Sequence, residues 1–350
     1  MAKYSNKGVK VKEKALVLTV ATFLLAIVVV GLAFWFSSAQ KNTDRIVLHG
    51  ASQFDYNHAY TRALIRFEEL VNQYYDGDQP IDFVLHANGE LGVEKDFFAY
   101  MNIGAVVDYA ILAPSHVSTF SSMATIMDIP FLFRDEDHYL KAIDQDVFLP
   151  VKEDLLKRAD VLIAGYGGGE KRHIFGRRPV RNMKELAGFT MRVMGSPIQS
   201  RMFTALGATP TVISSDEIYN AIQTGVIEGA ENSAAVIDLL KWYEVAQDIS
   251  YTAVSYIVRP LFFNAKRFRS FPIELQNAML RAATEAMTYE RNIEIGQDDP
   301  TLKKLEAAGK VKVYPFEDRE EMLKRAEPVK NEFAREIGAS DILAAINAIR

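Results

Sequence analysis

The sequence of 350 residues contains no cysteine, which excludes disulfide bonds, thiolate metal ligands, cysteine nucleophiles and lipidated cysteines. Its six histidines occur at none of the HxH, HxxxH or HExxH spacings that place two imidazoles on one metal ion. The GxSxG and Walker lysine motifs are also missing. We therefore expect no metal, no cofactor and no enzymatic activity.

Outside the N-terminal segment, acidic residues outnumber basic ones. The whole chain carries a formal charge of −5, but five lysines against one glutamate give residues 1–39 a charge of +4, which leaves −9 on the remainder. A net-acidic body argues against a nucleic acid as partner. Low-complexity tracts, internal repeats and linkers rich in proline or glycine are absent as well, so the composition indicates a folded protein.

One long apolar run does occur, from Ala15 to Phe36, and it contains no charged residue. Its 22 residues are enough to span a bilayer, whereas a cleavable signal peptide has a shorter apolar core. Ser37-Ser38-Ala39, however, has the small-x-small form of a signal peptidase site. Residues 1–39 are therefore either a signal peptide, with the mature chain starting near Gln40, or an anchor in the inner membrane. The preceding lysines keep the N-terminus in the cytoplasm and predict a periplasmic body in both cases.

After Arg45, short apolar runs alternate with amphipathic stretches, which predicts an α/β fold. We expect strands at 46–48, 81–85, 107–112, 161–164, 191–194 and 211–213. Asn57 is a candidate N-cap of the first helix, and Gly167-Gly168-Gly169 is expected to form a flexible turn. A capping box formed by Ser214 and Glu217 and a long helix from about Pro272 complete the pattern.

The first candidate functional residues in the second half of the chain are arginines. Five basic residues crowd 171–181, where a solvated surface is the simplest explanation. Arg192, by contrast, lies between Met191 and Val193 within an apolar strand. A buried guanidinium needs a partner, which is either an internal carboxylate or the carboxylate of a ligand. Arginine binds a carboxylate with two parallel hydrogen bonds, which lysine cannot do.

From about residue 46 to 314 the sequence resembles the solute-binding proteins of TRAP (tripartite ATP-independent periplasmic) transporters, of the DctP type. The resemblance is carried by GELG at 89–92, IPFLF at 129–133, MRV at 191–193, LGATP at 206–210, EIYNAIQTGVIEGAEN at 217–232 and WYEV at 242–245. It implies two α/β domains around a cleft that binds an organic acid. The implied partners are the small and large membrane subunits of a TRAP permease, which is driven by an ion gradient.

The resemblance also implies roles for individual residues. Arg192 would pair with the ligand carboxylate, Arg178 or its neighbour Arg177 would assist, and Asn232 would form a hydrogen bond with the ligand. Further candidates for ligand binding are Glu231, Tyr219, Asn57 and Glu90. Weaker candidates for the cavity wall are Phe54 and the segment 113–115. Glu90 and Ser233 depart from the family pattern, which often has glutamine and proline there, so the substrate stays open between monocarboxylates and dicarboxylates.

We expect domain I to comprise residues 44–170 and about 258–297, and domain II to comprise about 171–257 and part of 298–350. Two alternatives to transport are considered. A binding protein of the same fold, anchored through residues 15–36, would act as a sensor. A periplasmic enzyme is the other alternative, and the missing catalytic motifs argue against it.

Overall fold

The computed structural model of the protein describes residues 45–350, and these residues form an α/β fold built on one mixed sheet. The predicted signal or anchor segment at 15–36, the Ser37-Ser38-Ala39 site and the expected start at Gln40 lie outside the described residues. Across residues 45–350, none of the helices is both long and apolar enough to cross a membrane.

The sheet has nine strands within the described range, in the order β2-β1-β3-β8-β4-β7-β5-β6, and β9 pairs with β8. Their bounds are β1 Ile46–Ala51, β2 Ile81–His86, β3 Tyr109–Ile111, β4 Val161–Gly176, β5 Thr190–Val193, β6 Thr209–Val212, β7 Gly229–Asn232, β8 Asp248–Asn264 and β9 Lys312–Pro315. β1 and β3 are parallel, as are β5 with β6 and with β7. β4 and β8 are antiparallel to each other.

The helices connect these strands and cover the sheet. In chain order they are α1 Ala59–Tyr74, α2 Glu94–Asn102, α3 Glu136–Asp144, α4 Leu149–Ala159, α5 Met183–Leu186, α6 Pro197–Ala205, α7 Ile218–Gln223, α8 Ala234–Leu239, α9 Ala265–Arg269, α10 Ile273–Ala307, α11 Arg319–Glu336 and α12 Ser340–Ala348. The long helix expected from Pro272 is α10, which packs on α1 and β4 through a face that includes Ala282 and Ala286.

β4 and β8 are the two longest strands, and together they connect the two ends of the sheet. The first part of β4 pairs with the last part of β8, where β3 is the next strand. The last part of β4 pairs with the first part of β8, where β7 and β9 are neighbours. The register between β4 and β8 shifts at 163–165, 168–171 and 172–174. Irregular pairing thus recurs along most of β4, from residue 163 to residue 174.

The glycine run was expected to form a flexible turn, and that expectation is wrong, because residues 161–176 are one strand. Gly168 has φ +96°, and a Cβ atom there would lie 2.2 Å from the carbonyl oxygen of Ile257. A Cβ atom on Gly167 would overlap the Glu290 carboxylate. Glycine is therefore required so that β4 can bulge against β8 and approach α10 closely.

Other local predictions were correct. Arg192 lies in β5, the strand expected at 191–194. The Glu217 carboxylate accepts a hydrogen bond from the Ser214 N–H at 3.2 Å, as the capping box requires. The N-cap of α1, however, is His58 and not Asn57: His58 Nδ1 accepts from the Tyr60 N–H at 3.2 Å.

Residues 47–76 and 83–350 form one compact unit, which contains every residue of the site described next. In the described part of the other unit, residues 45–46 and 77–82, Arg45 and Asp82 form an exposed ion pair.

Candidate functional site

A cavity of about 250 Å³ opens at the middle of the sheet and is lined by three arginines. Arg172 comes from β4, Arg192 from β5 and Arg259 from β8. The wall also contains residues from the start of α2, the segment after β3 and the segment after β6. The apolar part of the wall includes Phe54 and Trp242.

Arg192 is 7% exposed and has no carboxylate partner among the described residues. Its Nε donates to the carbonyl oxygen of Ile213 at 2.8 Å. Burial, aided by the nearby positive charge of Arg172, lowers the pKa of Arg192 to about 10. The side chain is therefore still a cation at neutral pH, and it lines the cavity without a counter-ion.

Arg172 is held by two residues of β7. Its Nε and one terminal nitrogen donate to the two carboxylate oxygens of Glu231 at 2.5 and 3.0 Å. The other terminal nitrogen donates to Asn232 Oδ1 at 2.9 Å. Burial alone would lower the pKa of Arg172, but the Glu231 carboxylate overrides that effect and raises it. Arg172 is thus a fixed, neutralised cation whose position orients the Asn232 amide.

Arg259 forms a second buried pair, with Glu94 at the first position of α2. One terminal nitrogen of Arg259 lies 2.8 Å from Glu94 Oε2, and the guanidinium lies 5.0 Å from the centre of the Tyr60 ring. Glu94 Oε2 also accepts from the Ala113 N–H at 2.7 Å, and His116 Nε2 lies 3.4 Å away. Burial would raise the pKa of Glu94, but Arg259 and His116 together lower it to about 2.

The charges around the cavity do not balance. Three guanidinium groups line the wall, and carboxylates of Glu231 and Glu94 neutralise two of them. Arg192 is the buried cation that is left without a carboxylate, and the exposed Lys95, which also lines the cavity, adds a further positive charge. Such an arrangement favours an anion, because Coulomb attraction is strongest where the surroundings are least polarisable.

The structure brings together only some of the residues predicted from the sequence. Arg192 and Asn232 line the cavity, and Glu231 contacts it through Arg172. The weaker candidates Phe54, Ala113 and Ser115 also line it.

Arg177 and Arg178 do not line this cavity. β4 ends at Gly176, so both arginines follow the strand toward the surface. Arg178 Nε donates to Glu228 at 2.7 Å, and its side chain is 39% exposed. Arg177 is exposed and donates its backbone N–H to the Glu228 carbonyl at 2.9 Å. The second arginine beside Arg192 is Arg172 instead.

Three other candidates lie elsewhere too. The Tyr219 hydroxyl donates to Glu244 at 3.0 Å, and the exposed Glu90 lies 3.3 Å from His86. Asn57 lines a second cavity of about 400 Å³, next to Glu170 and Glu294.

Arg172, Arg259 and Glu94 are the site residues that sequence reasoning missed. Arg259 lies in the run Ile257-Val258-Arg259-Pro260-Leu261, so the criterion that identified Arg192, an arginine inside an apolar strand, would have found it. Arg172 was missed because the glycine run was expected to be a turn. With that turn, Arg172 lay outside every predicted strand. Glu94 carried no signal of this kind.

Comparisons with known proteins agree with this picture. The family model described as bacterial extracellular solute-binding protein, family 7 (DctP), matches residues 51–336. A solute-binding protein of Sulfitobacter sp. (strain NAS-14.1) is 47% identical over 312 residues, which cover 89% of this chain and 93% of the relative. The C4-dicarboxylate-binding periplasmic protein DctP of Rhodobacter capsulatus is 25% identical over 285 residues, 80% of this chain and 84% of that protein.

A solved structure is similar over nearly the same range. It is a TRAP periplasmic solute-binding protein from Sulfitobacter sp. NAS-14.1 with bound α-D-taluronate, which is 47% identical to this chain. It superimposes with a TM-score of 0.83 and covers 86% of this chain and 97% of its own. The resemblance inferred from the sequence is thereby confirmed, and the chain belongs to the DctP family of bacterial extracellular solute-binding proteins, the TRAP type.

Proposed function

We propose that this protein captures a small organic acid of the sugar-acid kind outside the cytoplasmic membrane and delivers it to the small and large membrane subunits of a TRAP permease. It acts by binding, and the ligand leaves chemically unchanged. The single observation that carries the proposal is Arg192, a buried cation that lines a cavity and has no carboxylate partner among the described residues.

Arg192 would bind the ligand carboxylate, because its two terminal nitrogens match the two oxygens of that group. Asn232, fixed by Arg172, lies in the same wall and offers its amide to the ligand. The internal carboxylate that the sequence left open as a partner for Arg192 is not found in the described residues. A ligand carboxylate is the alternative, and it would complete the charge balance of the cavity.

A sugar acid is favoured over a purely apolar acid by the rest of the wall. Ser214 and Ser215 follow β6, and Ser115 and Gln53 line the cavity as well, so hydroxyl groups would find hydrogen-bond partners. Val212 and Leu240, both exposed, give the wall apolar surface against which the C–H groups of a sugar can pack. The related Sulfitobacter protein with bound α-D-taluronate supports the same class.

Two domains, with the boundaries expected from the sequence, would close around the ligand. In support, the register shifts between β4 and β8 fall at 168–171, beside the expected boundary at residues 170 and 171. Irregular pairing is where two halves of a sheet can change their relative angle most easily. Arg192 and Glu94 belong to different proposed domains, so ligand contacts with both would favour closure.

Substitution of Arg192 tests the proposal. We expect Arg192→Ala to weaken binding of D-glucuronate or another hexuronate by about two to four powers of ten, because losing one partner of a buried pair costs about 3–5 kcal/mol. Arg192→Lys should also bind poorly, since an ammonium lacks the paired planar donors. Isothermal titration calorimetry on the full chain measures both.

The matched control is Arg178→Ala, which removes an arginine outside the cavity and should keep full affinity. Because Arg192 has no carboxylate partner in the described residues, the melting temperature of ligand-free Arg192→Ala should stay close to that of the wild type. Full affinity combined with a collapsed melting temperature would instead assign Arg192 to structure. A ligand recovered chemically altered would revive the enzyme alternative.

A further inference from the structure

The Glu94–Arg259 pair lies in the cavity wall. Arg192 offers hydrogen-bond donors to a ligand, whereas this pair offers an acceptor oxygen. Glu94 Oε2 receives the Arg259 guanidinium and the Ala113 N–H, at 2.8 and 2.7 Å. In the described residues, each contact made by the Glu94 carboxylate, with Arg259, with the Ala113 N–H and with His116, involves Oε2, so Oε1 is left without a donor. Because Glu94 lines the cavity, this oxygen is an acceptor for a group of the ligand.

A ligand hydroxyl suits that position, and a second carboxylate does not. A hydroxyl donates its proton to Glu94 Oε1, whereas a carboxylate has no proton to donate and carries the same charge. Placing two like charges together in a closed site is strongly unfavourable. Arg259 does not offset this, because Glu94 already neutralises its charge, and Lys95, which also lines the wall, is exposed to solvent that screens its charge.

Neighbouring side chains strengthen the preference for hydroxyl groups. Ser115 is 4% exposed, lines the same wall, and its Oγ has no hydrogen-bond partner. His116 and Gln53 line the wall beside Glu94. A hydroxyl-bearing ligand would satisfy the buried Ser115 Oγ, which otherwise stays unpaired at a cost in free energy.

Arg172 gives no second anion site, because Glu231 binds it with two hydrogen bonds. Arg192 is then the one guanidinium of the three wall arginines that has no carboxylate partner. We infer that the protein selects acids with a single carboxylate and that Glu94, through its pair with Arg259, is the residue that rejects a second one. This inference rests on the proposed function and adds to it the substrate class and the residue that determines it.

The test compares hexuronates with hexarates, which carry a carboxylate at both ends. D-Glucuronate and D-galacturonate are titrated beside D-glucarate and galactarate, and D-gluconate serves as the open-chain acid with one carboxylate. For the wild-type chain we expect the hexarates to bind at least tenfold more weakly than the tighter hexuronate, by calorimetry. Because hexarates are open chains, the deciding quantity is how this ratio changes in a variant.

Glu94→Gln is that variant. It removes the negative charge and releases the Arg259 guanidinium to pair with a second carboxylate. We expect hexarate binding to improve at least tenfold relative to hexuronate binding. Glu90→Gln, four residues earlier and outside the cavity, should leave the ratio unchanged. Should Glu94→Gln not fold, the double variant Glu94→Met with Arg259→Met leaves no unpaired charge and should also lose the rejection.

Different results would contradict the proposed function and the selectivity assigned to Glu94. Equal wild-type affinity for hexarates and hexuronates would overturn the inference and leave the proposed function standing. A folded Glu94→Gln with an unchanged ratio would overturn the role of Glu94. No binding of any carboxylate to the wild type would overturn the proposed function itself.

Discussion

Three glutamates, Glu170, Glu290 and Glu294, are almost completely buried behind the arginines of the cavity. Each has one carboxyl oxygen without a hydrogen-bond partner in the described residues. Glu290 Oε2 accepts from the Gly168 N–H at 2.6 Å, and Glu170 Oε1 lies 3.8 Å from a terminal nitrogen of Arg172. Burial raises the pKa of Glu290 to about 8 and also raises the pKa values of Glu170 and Glu294. Protonation is therefore part of what stabilises this region.

The stability of the chain should depend on pH through these glutamates. In the folded chain Glu290 keeps its proton up to about pH 8, whereas in the unfolded chain it loses the proton above its ordinary pKa of 4.5. Unfolding therefore releases a proton between these values, so the free energy of unfolding falls as pH rises, by up to about 1.4 kcal/mol per pH unit and group.

Urea titrations between pH 5 and 8 measure this slope. Glu290→Gln keeps an oxygen that can accept from Gly168 and has no proton to lose, so its stability should fall less steeply than that of the wild type. Glu332→Gln, on the exposed side of α11, is the control and should retain the wild-type slope. Parallel curves for the wild type and Glu290→Gln would contradict the prediction.

At the scale of elements, the bulge in the middle of β4 decides where the arginines lie. Arg172 follows the glycine run, and Arg259 of β8 lies opposite Gly167. The bulge thus brings both arginines to the point where β4 and β8 change register, next to the end of β7 that carries Asn232. Without the bulge, one of these side chains would point to the opposite face of the sheet, because each one-residue shift in register moves a side chain to the other face.

Gly168→Ala should be markedly destabilising. The new Cβ atom would lie 2.2 Å from the Ile257 carbonyl oxygen, and φ is +96°, so contact and conformation both oppose it. We expect a loss of about 3 kcal/mol or more, at the upper end of what backbone strain alone costs. Gly188→Ala is the matched control: φ is +75°, but no atom lies within 4 Å, so about 1 kcal/mol is expected. Equal losses in chemical denaturation would show that the Ile257 contact is unimportant.

Sequence periodicity predicted six of the nine strands in the described residues and the helices α1, α7 and α10, because local patterns such as the Ser214–Glu217 box and the apolar stripe of α10 determine them. It failed at 165–169, where the conformation depends on Ile257 and Glu290, residues about 90 and 120 positions away. The same limit applies to the site. Arg192 was identified from its apolar neighbours, whereas the pairing of Arg259 with Glu94 joins residues 165 positions apart.

At the scale of the whole molecule, the absence of cysteine makes the proposed closure directly measurable. Two cysteines can be introduced and labelled with nitroxides without competition from native thiols. Glu90 and Asp216 are exposed and lie in the two different proposed domains, near Glu94 and Ser215 of the cavity wall. A change in the distance between labels at these positions therefore reports a relative movement of the proposed domains.

Ligand should shorten the distance between labels at Glu90→Cys and Asp216→Cys by more than about 2 Å. Domain rearrangements on binding typically exceed that distance. The physical reason is that Arg192 and Glu94 contact the same ligand from different proposed domains, and their interactions strengthen as closure expels water. Pulsed electron paramagnetic resonance measures the distance with and without a hexuronate at 100 times its Kd. A second pair, Glu90→Cys with Glu153→Cys, lies within proposed domain I and should not change. If the first pair also keeps its distance at saturation, the ligand binds to a cavity that is already closed, and the two proposed domains act as one rigid body.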